Sequence, residues 1–303
     1  MNRILKGTAL GVLAVAMSLG LAHADAEQNA ATLSNLQVSR ATLDNGLRVV
    51  MNQDHTVPTV AVAVYYDVGS RNEVQGRSGF AHLFEHMMFQ GSANVGKGEH
   101  FSLIINRGGS ANGTTSNDRT NYFETLPANE LELGLWLEAD RMRSLAITQA
   151  NFENQRQTVM EERRQRIDNQ PYIPSMLPIN QLAYVDYWPY AHSTIGDMQD
   201  LIDAPLVAVE AFFDTYYAPY NSVVSISVDF NADESMKLVE KHFGDSPARE
   251  TPAFEAPAFE AQSEERRETM YVANATLPAF HLAYHIPPKR SPDHYAIEML
   301  AMF

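Results

Sequence analysis

The sequence predicts an α+β fold, in which a mixed or antiparallel sheet packs against a layer of helices and is followed by the start of a second, similar domain. Two observations lead to this prediction. Strand patterns come first, helical patterns follow, and a strand pattern returns near residue 222, which is typical of a two-layer domain. The 303 residues are 45% hydrophobic, so the chain can bury a large core.

The first 24 residues predict a secretory signal peptide. Arg3 and Lys6 precede an apolar run over residues 9–21, which ends at Ala22-His23-Ala24, a small-x-small cleavage pattern. The alternative is a membrane anchor, but the run is shorter than the roughly 20 residues that a bilayer span needs. We therefore expect an exported protein, periplasmic or secreted, without a stable membrane anchor.

Composition excludes two further classes. The chain contains no cysteine, so it has neither disulfides nor thiolate metal ligands. It carries 22 basic against 37 acidic residues, a net charge of −15, and such an acidic chain is not expected to bind nucleic acid.

The first predicted elements are strands. Residues 38–43 and 47–51 flank Asp44-Asn45-Gly46, a turn sequence typical of a β-hairpin. Residues 59–68 form a nearly continuous β-branched and aromatic run, which predicts a strand buried on both faces.

A short apolar helix follows, with Ser78 as its predicted N-cap and its end near Gly91. Beyond it the patterns predict a strand over residues 120–125, helices over 129–144, 148–168 and 205–217, and a strand over 222–228.

The predicted first domain covers residues 25–248, and a linker follows over residues 249–268. Within it Pro252-Ala-Phe-Glu-Ala256 is repeated at once as residues 257–261, and this proline spacing disfavours both helix and sheet. A long surface loop is the alternative. Residues 269–303 predict the start of a truncated second domain, with a strand pair over 269–286. Ser291-Pro292 is predicted to open a helix that covers Tyr295 to Phe303.

The segment His82-Leu-Phe-Glu-His86 is the candidate chemical centre. At about 100° per residue, His82, Glu85 and His86 share one side of the helix. The opposite side is apolar and comprises Phe80, Leu83, Phe84 and Met87. The polar side could be simply the solvated face of an amphipathic helix. However, neutral imidazoles one turn apart are well placed to bind zinc, and His-x-x-Glu-His is the inverted form of the zincin motif.

A catalytic zinc site needs a third protein ligand, because three residues usually leave a fourth position for water. The helix over 148–168 offers Glu153, Glu161 and Glu162. Glu162 falls roughly 60° from Val159, at the margin of the apolar stripe, whereas Glu161 points nearly the opposite way. Helical geometry does not exclude Glu153. His55, His100 and His192 have no motif partners, so we expect structural or surface roles for them.

Several segments together resemble the pitrilysin family of inverted-motif zinc peptidases, which includes insulin-degrading enzyme and mitochondrial processing peptidase. The resemblance rests on Gly69-Ser-Arg-Asn-Glu73 and on residues 79–92, 108–122, 159–164 and 195–196, in the family's order. It implies one zinc ion per chain held by His82, His86 and Glu162. It also implies that Glu85 is the general base of a zinc metalloendopeptidase.

The resemblance further implies a peptide-binding edge and a second half. Extended peptide or unfolded polypeptide would bind along residues 110–115, which gives Ser110, Ala111, Asn112, Gly113 and Thr114 as substrate-binding candidates. The second peptidase-like half would come from the same longer chain or from a partner subunit. The alternative is an inactive or partner-dependent binding subunit of the same fold.

This chain departs from the family pattern at two places. A glutamate is common seven residues before the third ligand, where this chain has Gln155, and the family's Asn-Ala pair is Asn112-Gly113 here. The first departure puts in doubt a supporting carboxylate at residue 155 and leaves the three ligands intact.

Overall fold

The computed structural model describes residues 38–302; the predicted signal peptide, residues 1–24, lies outside this range. Six strands form one sheet. They are β1 (Val38–Thr42), β2 (Arg48–Gln53), β3 (Thr59–Tyr66), β4 (Ser110–Thr115), β5 (Thr120–Pro127) and β6 (Ser222–Val228).

The strand order is β1-β2-β6-β3-β5-β4, with β2 and β6 parallel and every other neighbouring pair antiparallel. The sheet is therefore mixed, as predicted. The hairpin β1–β2 turns at Gly46, whose φ of 88° lies in the left-handed region that glycine tolerates. β4 is an edge strand, since β5 is its single neighbour in the sheet.

The helices in chain order are α1 (Phe80–Met87), α2 (Glu99–Ile105), α3 (Leu131–Ser144), α4 (Gln149–Arg163), α5 (Leu177–Ala183), α6 (Trp188–Ala191), α7 (Met198–Asp203), α8 (Leu206–Tyr216), α9 (Ala232–Phe243) and α10 (Pro292–Leu300). A π-helical turn, Arg164–Asp168, continues α4. Within residues 38–302, every helix is too short or too polar to cross a bilayer.

The sheet has one buried face, which makes the domain two-layered. Along β3, Val60, Val62, Val64 and Tyr66 are buried, whereas Tyr65 between them is 42% exposed. The prediction that this strand is buried on both faces is therefore wrong. Its side chains alternate because helices cover one face of the sheet, and the small Ala61 and Ala63 on the other face disguised this alternation in the sequence.

The boundaries of α1 also differ from the prediction. Its N-cap is Gly79, with a φ of 90°, and α1 ends at Met87, before Gly91. Ser78 does not cap the helix. Its hydroxyl donates to Asp200 Oδ2 at 2.6 Å and accepts the Asp197 amide at 2.8 Å. The serine is thus occupied by partners from a distant part of the chain.

Residues 269–286 form no strand, so the predicted strand pair is wrong. An alternating sequence becomes a strand only where a neighbouring strand supplies hydrogen-bond partners. In the described part of the chain this segment pairs with none, and Tyr271, Phe280 and Tyr284 are more than 80% exposed. Residues 249–268, the predicted linker, also contain neither helix nor strand. The predicted C-terminal helix is present as α10; it begins at Pro292, as the Ser291-Pro292 pair predicts, and ends at Leu300.

Candidate metal centre

Helix α1 is anchored by its apolar side, which fixes the direction of its polar side. The predicted inward side chains are all buried, with at most 2% exposure: Phe80, Leu83, Phe84 and Met87. On the other side His82 and His86 remain partly accessible, with 13% and 24% of their side chains exposed. Their ring centroids lie 4.9 Å apart. The local sequence therefore points both imidazoles the same way, as its periodicity predicts.

The structure brings Glu162 of α4 to this histidine pair. Glu162 Oε2 lies 3.2 Å from His86 Nε2 and 3.7 Å from His82 Nε2. One potential ligand atom from each of the three residues lies within 4.8 Å of the others. Only packing of α1 against α4 can produce this meeting, because the two helices are far apart in sequence.

The two rival glutamates have other partners. Glu153 pairs with Arg156 and accepts a hydrogen bond from Gln157 at 3.0 Å. Glu161 pairs with Arg164 at 3.2 Å and accepts from Gln165 at 2.8 Å, with half its side chain exposed. Of the three candidate glutamates, Glu162 therefore has the geometry of a third ligand.

Arg166 orients the Glu162 carboxylate. Its Nη1 lies 2.8 Å from Glu162 Oε1, so the other oxygen, Oε2, is the one that faces the imidazoles. Arg166 belongs to the π-helical turn that follows α4. Such turns change the direction of the side chains within a helix and frequently occur at functional sites. The sequence did not indicate Arg166, since a π turn leaves no clear sequence pattern.

The three residues fit a zinc ion by chemistry and by spacing. Two imidazoles and one carboxylate are a known donor set for catalytic zinc. Tetrahedral zinc with bonds of about 2.0–2.1 Å separates its ligand atoms by roughly 3.3 Å. The nitrogen-to-oxygen distances of 3.2 and 3.7 Å come close to this value. Burial, and then the neighbouring His86, lower the pKa of His82, which favours the neutral imidazole that binds metal.

Glu85 lies beside the three donor atoms and is held by the sheet. Its Oε2 accepts a hydrogen bond of 2.6 Å from Thr115 Oγ1, at the end of β4. Gly113, two residues earlier, leaves room for Glu85, because a Cβ there would lie 3.1 Å from Glu85 Cγ. The Glu85 carboxylate is thereby fixed without taking part in the cluster of ligand atoms. The sequence did not indicate the bond from Thr115 to Glu85, since that contact depends on how β4 packs against α1.

The predicted substrate-binding residues form the exposed edge of the sheet. Ser110, Ala111, Asn112, Gly113 and Thr114 all belong to β4, which pairs with β5 on one side only. Ser110 and Asn112 are exposed, whereas Gly113 is buried against α1. The edge strand and the His-x-x-Glu-His helix are therefore in direct contact.

A second group of potential ligands among the described residues, His100, Glu124 and Glu138, is fully buried. The guanidinium of Arg141 supplies the positive charge at this cluster. It pairs with Glu138 and lies 4.4 Å from the Tyr122 ring centroid. Burial and the charge of Arg141 lower the pKa of His100 to about 2. The cluster thus has the character of a buried ion-pair network and not of a metal site.

A helix with an inverted His-x-x-Glu-His motif, packed against a sheet and facing a glutamate of a second helix, is the arrangement of inverted-motif metallopeptidases. The family comparison agrees with this class. The family model described as insulinase (peptidase family M16) matches residues 48–182, and the one described as peptidase M16 inactive domain matches residues 206–303. The chain belongs to peptidase family M16, the pitrilysin family indicated by its sequence.

Known proteins from bacteria are similar over most of the described chain. The zinc protease PqqE of Helicobacter pylori is 35% identical over 263 residues, which cover 86% of this chain and 59% of the relative. A solved protease structure from Helicobacter pylori has a TM-score of 0.70 and 36% identity, covering 74% of this chain and 54% of that one. The first half of the periplasmic protease PqqL of Escherichia coli shares the fold, with a TM-score of 0.68, 20% identity and coverage of 74% and 49%.

The chain spans about two fifths to three fifths of the length of the curated relatives it matches. The names of several relatives associate the family with zinc-dependent proteolysis.

Proposed function

We propose that this chain is the zinc-binding half of an exported metalloendopeptidase that cleaves extended peptides or unfolded segments of polypeptide. One observation carries the proposal. His82, His86 and Glu162 bring three ligand atoms together, beside a glutamate that is not one of them. This is the minimum set for metal-assisted hydrolysis, with three ligands and a separate base.

In this proposal His82, His86 and Glu162 hold one zinc ion per chain. When bound, zinc would supply Lewis-acid polarisation of a peptide carbonyl and lower the pKa of an attacking water towards about 7. Glu85 takes the proton of that water and delivers it to the leaving amine. Thr115 holds Glu85 through its 2.6 Å hydrogen bond, and Arg166 holds the Glu162 carboxylate.

The substrate binds as an additional strand along β4. The outer edge of this strand has backbone N–H and C=O groups that no strand of the sheet uses, so an extended peptide can add to it by main-chain hydrogen bonds. Ser110, Ala111, Asn112, Gly113 and Thr114 would form this binding edge. Since β4 contacts α1, the bound peptide would pass beside Glu85.

A second peptidase-like half completes the enzyme, supplied by a longer chain or by a partner subunit. Residues 25–248 form the first domain in this proposal, residues 249–268 the linker and residues 269–303 the start of the second domain. The exposed aromatic side chains of Tyr271, Phe280 and Tyr284 support this division, because they require a covering surface. Residues 1–24 direct export in this proposal, and the structural neighbour PqqL of Escherichia coli, described as a periplasmic protease, is consistent with that compartment.

The second candidate is an inactive or partner-dependent binding subunit of the same fold. It is favoured by the match of residues 206–303 to a model described as an inactive domain. Zinc content separates the two candidates, since a binding subunit has no need of a His₂Glu site.

The test measures metal content and peptide cleavage together. We expect the purified protein to contain one zinc per chain by elemental analysis. In a form that includes the second half, it should cleave fluorogenic peptides in a chelator-sensitive manner. Glu85→Gln should retain zinc and lose cleavage. A wild-type protein without zinc, or a Glu85→Gln variant that loses its metal, would overturn the assignment.

A further inference from the structure

A buried acid lies at the N-terminus of α1, outside the proposed ligand set. The side chain of Glu73 is fully buried. Its Oε2 accepts the Gly79 amide at 2.9 Å, and its Oε1 accepts the Ala81 amide at 2.8 Å. Both amides belong to the first turn of α1, and His82 follows Ala81 directly.

The helix needs this external acceptor because its own cap is missing. The first N–H groups of a helix have no partner within the helix, and a side chain at the N-cap usually accepts one of them. Gly79 occupies the N-cap of α1 and has no side chain for this purpose. A buried amide without a partner is costly, so the two bonds to Glu73 fix the position of the first turn.

Glu73 is held in turn by His192. His192 Nε2 lies 3.0 Å from Glu73 Oε2, and its Nδ1 lies 2.8 Å from the Trp188 carbonyl oxygen. The Trp188 ring stacks on the imidazole with centroids 4.1 Å apart, and its indole N–H donates to the Glu73 carbonyl at 2.8 Å. Each ring nitrogen of His192 therefore has one partner, which fixes the ring between α6 and the start of α1.

The same part of the chain also contacts the helix that carries Glu162. Arg163, the neighbour of Glu162, hydrogen-bonds the carbonyl oxygen of Gly196. Gly196 in turn packs directly against Gly79, where a Cβ at residue 196 would lie 2.5 Å from the Gly79 Cα. Residues 188–200 thus touch both ligand-bearing helices near their ligands.

We propose that Glu73, held by His192, is a positioning residue that sets the location of His82 and His86 relative to Glu162. This inference rests on the proposed function, because it takes these three residues as zinc ligands. Glu73 touches neither substrate nor metal and acts through the backbone of α1. Metal-ligating side chains are usually oriented by hydrogen-bond partners that do not touch the metal. Glu73 has the same effect on a whole helix.

The test uses Glu73→Gln in the full chain. Glutamine has a single acceptor oxygen, so one of the two amides of α1 loses its partner. We expect hydrogen exchange of at least one of the Gly79 and Ala81 amides to accelerate at least tenfold. We also expect zinc affinity, measured by competition with a chromophoric chelator, to fall about 10- to 100-fold, as for other outer partners of metal ligands. Unchanged exchange and unchanged affinity in folded Glu73→Gln would overturn the proposal.

Asn45→Ala is the matched control for lost stability. Asn45 is buried and its Nδ2 donates to the Phe243 carbonyl at 2.8 Å, and its other side-chain hydrogen bonds go to residues outside α1 and α4. We expect it to lower the melting temperature while zinc affinity stays at the wild-type value. An equal loss of zinc affinity in Asn45→Ala and Glu73→Gln would contradict a positioning role.

Variants of His192 test the same arrangement if Glu73→Gln does not fold. His192→Ala removes the donor to Glu73, whereas His192→Gln keeps an N–H donor near the position of Nε2. We expect His192→Ala to accelerate amide exchange in α1 and to weaken zinc binding severalfold, and His192→Gln to restore most of both. Equal behaviour of the two variants would contradict the proposal. If the wild-type protein binds no zinc, the proposed function fails, while the amide-exchange result still decides the role of Glu73 in fixing α1.

Discussion

The Oε2 atom of Glu162 lies 3.2 Å from His86 Nε2, which links helix α4 to helix α1. Arg166 holds the second oxygen of the same carboxylate at 2.8 Å. Glu162 is therefore directed from two sides, whereas its neighbour Glu161 points to solvent and pairs with Arg164. This asymmetry between adjacent glutamates allows the proposed ligand set to be tested with closely matched variants.

Glu162→Gln should lose most of its zinc, and Glu161→Gln should keep it. An amide is a much weaker zinc ligand than a carboxylate, and the substitution leaves volume and helix propensity nearly unchanged. The measurement is zinc per chain after dialysis against a mild chelator. Glu153→Gln serves as a second control. Equal depletion in all three variants would exclude Glu162 as the third ligand.

Thr115→Val should impair peptide cleavage without loss of zinc. Valine has the shape of threonine but cannot donate the 2.6 Å hydrogen bond to Glu85. In the protein with its second half present, we expect kcat to fall about tenfold, a part of the roughly 10²- to 10⁴-fold that a positioned base contributes, with KM little changed. Thr115→Ser should recover most of the activity, because it keeps the hydroxyl. A KM effect alone would indicate substrate binding and not orientation of Glu85.

Gly196→Ala should destabilise the protein far more than Gly76→Ala. Both glycines have left-handed backbones, with φ of 82° and 81°, so each substitution costs about 1–2 kcal/mol of backbone strain. Only the Cβ at residue 196 meets other atoms, including Ser78 O at 2.6 Å, whereas nothing lies within 4 Å at residue 76. Overpacking adds about 1–3 kcal/mol.

Chemical denaturation of both glycine variants measures this difference. Zinc affinity should fall in Gly196→Ala alone, because residue 196 packs against the start of α1. Similar free energies of unfolding for the two variants would show that the backbone at residue 196 adapts without strain.

His100 should make the protein less stable as pH falls below 6.5. Burial, followed by the charge of Arg141, lowers the pKa of His100 from 6.5 to about 2. Below pH 6.5 the unfolded chain therefore binds a proton that the folded protein excludes. The free energy of unfolding is therefore unaffected by His100 above pH 6.5. It decreases progressively as pH falls from 6.5 towards 2, by up to about 1.4 kcal/mol per pH unit.

His100→Gln removes this titration and provides the test. Relative to this variant, the wild-type protein should lose roughly 1–2 kcal/mol more stability between pH 6.5 and pH 5, measured by urea denaturation. An identical pH dependence in the wild type and His100→Gln would show that His100 gains a proton in the folded state.

Local periodicity determined much of the site from sequence alone. The 3.6-residue repeat predicted that Phe84 and Met87 would be buried, and both are. The same geometry placed Glu162 at the margin of the apolar stripe of α4 and turned Glu161 to solvent, as the structure has them. These predictions succeeded because side-chain direction along a helix depends on neighbours within one or two turns.

Helix α9 (Ala232–Phe243), a continuous twelve-residue helix, and the short helices α5 to α7 were absent from the sequence prediction. Short helices depend more on packing than on their own sequence, because isolated helices of this length are marginal in water. Their positions matter here, since α6 and the loop that follows it contain Trp188, His192 and Gly196.

By itself, the sequence determined five of the six described strands, the helices α1, α3, α4 and α8, and the inverted His-x-x-Glu-His motif. It also determined the polar side of α1 and favoured Glu162 over Glu161 as the acid that could join that side, while leaving Glu153 open. Tertiary structure alone decided that Ser78 bonds to Asp197 and Asp200 instead of capping α1, and that Glu73 takes over the cap. Only the tertiary structure places Thr115 against Glu85. The physical reason is the distance in sequence between the residues that interact. A repeat along one helix is determined by adjacent turns, whereas a hydrogen bond across the fold depends on how segments distant in sequence pack together.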